Sequence, residues 1–93
     1  MSDVWRWAYD PDETHVVGGL PGHVISEVEY IAHELVDLAT MGVDVTDIGK
    51  GPESGSSGGL RRLRFRGGWL YFMALARLRL IVITRVIPPY EHL

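Results

Sequence analysis

The chain has no cysteine and a single lysine, Lys50, in 93 residues. Without cysteine there are no disulfides and no thiolate metal ligands, and a reducing cytoplasm is the expected compartment. No apolar run approaches the ~20 residues a membrane-spanning helix needs, because the longest, Trp69 to Ala76, is followed at once by Arg77 and Arg79. No membrane association is therefore expected. The opening MSDVWRWAYD shows no basic stretch leading into an apolar one, so no secretory leader is expected either. A phosphate-binding loop is missing, since Gly49-Lys50-Gly51-Pro52 lacks both the spacing and the hydroxyl. Ser54, Ser56 and Ser57 have no paired base, which argues against a nucleophilic triad. His15 and His23 fall in a loop, and His33 has no second histidine four residues on. Neither a metal site nor a cofactor is expected. His33, with Glu29 and Asp37 four residues to either side, reads as part of a helix-surface ion pair.

The charge that is present divides by position. Residues 1–53 hold Arg6 and Lys50 against eleven acids, a balance of −9, whereas residues 54–93 hold seven arginines against Glu91 alone, a balance of +6. A half that is basic through arginine only is suited to gripping phosphate or carboxylate oxygens, because the planar guanidinium offers them two donors at once. The net charge of −3 argues against a general nucleic-acid coat protein but leaves room for a local basic face.

A hydrophobic content of 46% over this length supports one small domain with one core, spanning 1–93. Val4 to Tyr9 reads as a strand, ended by Asp10-Pro11-Asp12. Glu13 to Gly22 reads as a loop with room for one helical turn. Val24, Val28, Ile31, Leu35 and Leu38 then recur every three or four residues, which predicts an amphipathic helix of about four or five turns capped by Gly42. The stretch 48–59, rich in glycine and serine, is a flexible connector inside the domain. Three strands are expected after it. Leu60 to Arg66 alternates, with Leu63 and Phe65 on one face and Arg62, Arg64 and Arg66 on the other. Gly67-Gly68 is the expected turn, Trp69 to Ala76 a central strand, and Leu78 to Ile87 the last, stopped by Pro88-Pro89. The expected fold is α+β: an antiparallel sheet, formed by the N-terminal strand and a C-terminal three-stranded meander, with the one long helix packed on one face.

This order, with an apolar-Pro ahead of the helix and Gly-Leu-Arg-Arg-Leu-Arg-Phe-Arg after the connector, resembles the RelE/ParE superfamily of bacterial toxin–antitoxin systems. The likeness runs from Trp5 to about Tyr90 and rests on layout and on the Leu63-Arg64 pair of the second strand. The resemblance implies a toxin that cleaves mRNA on the ribosome, the RNA 2′-hydroxyl attacking the adjacent phosphodiester. It implies Arg64 and Arg85 as charge-bearing catalytic residues and Tyr90 or His92 as proton-transfer groups. Arg61, Arg62, Arg66 and Tyr71 would then contact RNA, and an antitoxin protein would be a partner. The alternative is a non-catalytic module of the same kind docking an acidic protein, an antitoxin or a topoisomerase. It is favoured by Trp69-Leu70-Tyr71-Phe72-Met73, where these toxins usually carry an arginine, and by the acidic total charge.

The residues also admit plainer roles. Arg62, Arg64 and Arg66 form either a phosphate-contact row, about 6–7 Å between neighbours, or a solvated face paired with Glu27, Glu34 or Asp37 of the helix. A helix on the opposite sheet face would keep those acids out of reach. Tyr90 and His92 are either an acid–base pair or a frayed terminus. Trp5, Trp7 and Trp69 read as core and rim residues, and an exposed Trp69 or Tyr71 could stack a base. A homodimer through the helix or the strand edges is a further reading.

Overall fold

In a computed structural model, residues 4–51 and 59–89 are described. Tyr90, His92 and most of the glycine-serine connector lie outside these residues. The elements are β1 (Arg6–Tyr9), α1 (Glu13–Val17), α2 (Gly22–Thr40), β2 (Arg61–Phe65), β3 (Gly68–Leu75) and β4 (Leu80–Ile87). Short 3-10 turns at Val45–Asp47 and Ala76–Leu78 complete the path. The class is α+β, with one long helix, an N-terminal strand and a three-stranded C-terminal meander.

The single helical turn allowed for after Asp12 is α1. Asp12 caps it by accepting from the His15 N–H at 2.9 Å, and Val16 and Val17 turn into the core. The longer α2 buries Val24, Val28, Ala32, Leu35 and Ala39, a stripe with steps of four and three. It ends in a Schellman motif: Gly42 sits at φ +95°, its N–H donating to Ala39 O and the Val43 N–H to Leu38 O, each at 3.0 Å. The stop expected at Gly42 is thus real, and an L-residue there would be strained.

The sheet order is β1-β4-β3-β2. The meander is antiparallel, but β1 lies parallel to β4, with Trp7 opposite Ile81 and Tyr9 opposite Ile83, so the sheet is mixed. Parallel pairing needs a crossover, and α1 and α2 supply it. The buried faces of both helices meet Phe65, Leu70, Phe72, Ile81, Ile83 and Val86 in one core cluster. Burying side chains of this size stabilises by about 1.5–3 kcal/mol each.

Two departures from strict alternation shape the sheet. The β2–β3 turn is centred on Arg66-Gly67, not on Gly67-Gly68, and both central residues have positive φ, 47° and 86°, as the tight twisted hairpin requires. Gly68 instead begins β3, where a Cβ would collide with the Ile87 carbonyl. In β4, Tyr71 pairs with Arg85 and Phe72 with Ile83, leaving Thr84 as the extra residue of a β-bulge.

Candidate nucleic-acid interface on the open sheet face

Since α1 and α2 cover one face, the register defines the other. Arg62 and Arg64 of β2 stand opposite Tyr71 and Trp69 of β3, and Tyr71 and Trp69 stand opposite Arg85 and Ile87 of β4. Further along, Met73 faces Val82, which in turn faces Ala8, and Leu75 faces Leu80, which faces Arg6. None of these side chains belongs to the core cluster beneath the helices, and of them only Val82, 8% exposed between its strand neighbours, is buried. No described element lies over them.

The bulge is what brings Arg85 here. With Ile81 and Ile83 pointing into the core, plain alternation would send Arg85 inward and Val86 outward. The extra residue at Thr84, whose hydroxyl donates to Tyr71 O at 3.4 Å, reverses the parity. Val86 is buried and Arg85 is exposed. The result is a row across three strands, Arg62–Tyr71–Arg85, beside a second, Arg64–Trp69–Ile87. Adjacent members of a row stand about 4.8 Å apart and the two rows about 6.5–7 Å apart.

Two arginines of this face lie over an aromatic ring and not against acids. The guanidinium carbons of Arg62 and Arg64 lie 4.8 and 5.2 Å from the centroid of Trp69, within cation–π range. Among the described residues, no carboxylate forms an ion pair with Arg62, Arg64 or Arg85. Glu34 and Asp37 sit on α2, across the thickness of the sheet, so the expected obstacle of helix acids neutralising the row does not arise for these three.

Two expected members of the row are elsewhere. Arg61 is only 6% exposed and points into the protein: its Nε donates to Ile48 O at 2.6 Å and its Nη2 to Gly49 O at 3.1 Å. That guanidinium anchors the 48–51 segment against β2, where Lys50 and Arg62 also exchange backbone hydrogen bonds of 2.9 Å. It is not offered to a ligand. Arg66 is exposed but occupies the hairpin turn, with its Nε 3.4 Å from Glu27 Oε1. The turn lifts Arg66 off the strand face and toward the helix side, so one of the three helix acids does reach an arginine. Tyr71 lies on the open face and is half-buried. Tyr90 and His92 fall outside the described residues.

A second polar cluster lies between β1 and α2. The Tyr9 hydroxyl donates to Glu29 Oε2 at 3.0 Å, and burial together with that carboxylate pushes the phenol well above its ordinary range. Trp7 meets Tyr9 and His33 edge-on, at 5.0 and 5.9 Å between centroids. His33 therefore meets an indole edge-on, and the ion pair expected with Glu29 or Asp37 is not among those formed by the described residues. Among the described residues, no group of three or more His, Asp or Glu side chains could hold a metal ion, and no helix is long and apolar enough to cross a membrane.

No family model, curated protein or solved structure matches the chain. A functional reading therefore rests on the geometry of the open face.

Proposed function

We propose that the open sheet face is an RNA-contact surface and that the chain acts as a toxin of the RelE/ParE kind, cleaving mRNA on the ribosome. One observation carries the reading. Three arginines without acidic partners among the described residues, Arg62, Arg64 and Arg85, alternate with Trp69 and Tyr71 on an uncovered sheet. Guanidinium groups in that arrangement suit a polyanion whose charges repeat, and aromatic rings between them suit the bases it carries. In the cleavage step, the RNA 2′-hydroxyl attacks the neighbouring phosphorus, and the 5′-oxygen of the next nucleotide leaves. Arg64 and Arg85 would stabilise the negative charge that builds on the phosphoryl oxygens.

The test is induced expression in a bacterial host, with mapping of mRNA 5′ ends. Codon-phased cuts that disappear in Arg64→Ala and Arg85→Ala are the expected result. A second reading, docking of an acidic protein segment, is favoured by Met73, Leu75 and Leu80, half-buried apolar side chains continuous with the arginines. Growth arrest with intact transcripts would select it.

A further inference from the structure

We infer that the chain pairs with a second copy of itself through the free edge of β1, so that two four-stranded sheets join into one of eight strands. The pairing needs nothing from the RNA reading. Of the two outer strands, β2 has the Arg62 backbone bonded to Lys50, whereas no described strand pairs with the outer side of β1. The Arg6 and Asp10 N–H groups donate to Arg79 O and Ile83 O, each at 3.0 Å. Alternation therefore points the backbone groups of Arg6, Ala8 and Asp10 at β4 and turns the N–H and C=O of Trp7 and Tyr9 outward. Trp5 obeys the same parity, its outward N–H donating to Thr40 Oγ1 at 3.4 Å. Unpaired groups in such a row are a template for another strand. Proline and lysine, which blunt edges, are absent from Arg6–Tyr9.

A second copy fits this edge because the strand is complementary to itself. Antiparallel pairing about a two-fold axis at Ala8 sets Trp7 of each copy opposite Tyr9 of the other. Each such pair exchanges both of its N–H···O=C bonds. Ala8 meets its counterpart in the close, non-hydrogen-bonded position, about 4.5 Å between Cα atoms, and it is small and exposed there. Arg6 of each copy falls opposite Asp10 of the other, on the open face. Both are exposed, they carry opposite charge and, among the described residues, neither forms an ion pair. About 13 Å of strand separates them within one chain, so they cannot pair there. On the helix side, His33 lies against Trp7 and Glu29 against Tyr9. The same register brings His33 of one copy level with Glu29 of the other. An unrelated strand could take the edge hydrogen bonds but would have to supply these charges in the same order.

The experiment is sedimentation equilibrium of the full chain, from low micromolar to submillimolar concentration. Wild type should approach twice the monomer mass. Arg6→Glu and Asp10→Arg each put like charges opposite one another at both ends of the paired strands, and each should weaken self-association about 10–30-fold. An equimolar mixture of the two variants should dimerise again with near wild-type affinity, since every charge then meets its opposite. That recovery cannot come from unfolded chains, so it separates a lost interface from a lost fold. A wild type that stays monomeric throughout would overturn the inference, whatever the variants do. Variants that each dimerise as tightly as wild type would overturn it too, by placing the contact elsewhere. So would a mixture that associates no more tightly than either variant alone.

Discussion

Replacing Arg85 with alanine should change how RNA binding responds to salt, by an amount the open face sets in advance. Three guanidinium groups, those of Arg62, Arg64 and Arg85, cluster at the β2–β3–β4 part of that face with no acidic partner among the described residues, whereas Arg6 stands apart at its β1 edge and donates to Leu78 O. Each phosphate neutralised on a single strand contributes about −0.7 to the slope of log affinity against log salt, so three contacts give a slope near −2.1. Between 50 and 200 mM salt the affinity should then fall about 18-fold. Arg85→Ala leaves two contacts, a slope near −1.4 and a fall of about 7-fold over the same range. Arg66 is the internal control: with its Nε 3.4 Å from Glu27, it lies in the hairpin turn away from the row. Arg66→Ala should leave the slope at its wild-type value. Anisotropy titrations of a labelled single-stranded RNA at four or five salt concentrations measure all three slopes. A wild-type slope shallower than about −1 would refute the three-contact row. So would a slope that flattens in Arg66→Ala but not in Arg85→Ala.

Arg61→Met should lower stability without altering RNA affinity, because the change removes the two hydrogen bonds by which the buried guanidinium holds the Ile48 and Gly49 carbonyls. The expected cost is about 1–3 kcal/mol. At about 4–8 °C per kcal/mol for a domain of this size, thermal unfolding followed by circular dichroism resolves it, and a loss of RNA affinity at full folding would contradict the inward placement. Asp12→Asn probes the cap of α1. Hydrogen bonds from the His15 backbone and ring hold the Asp12 carboxyl below its ordinary range, so its contribution to stability is present above the unfolded carboxylate pKa of about 3.9 and is lost as pH falls through the lower folded value. Urea unfolding should find wild type more stable than Asp12→Asn at pH 5.5, with the gap narrowing toward pH 2.5. An unchanged gap would refute the linkage.

Local pattern made some of this molecule legible and long-range geometry withheld the rest. The helix α2 could be read because its core contacts fall on one stripe, and its end because Gly42 takes a conformation that other residues resist. The parallel seat of β1 beside β4 could not, since nothing within Arg6–Tyr9 specifies which strand it meets. Among the arginines the period of two was a better guide than the count of positive charges. If Leu63 and Phe65 face the core, Arg61 must face it too, and it does. The same rule fails twice, each time where the backbone leaves regular β geometry. At Arg66 the positive φ of the hairpin removes an outward residue from the face. At Thr84 the bulge adds a residue, and an arginine that strict alternation would bury arrives beside Tyr71 instead. A buried guanidinium without an acid would be costly, so the bulge at Thr84 both spares the core and completes the row. Deleting Thr84 should therefore remove the bulge yet spare the row. Ile83, Arg85 and Val86 would then follow one another opposite Phe72, Tyr71 and Leu70 in plain alternation, with Arg85 still beside Tyr71 and Val86 still in the core. Loss of RNA binding in a folded deletion variant, read by anisotropy, would refute this account of the bulge.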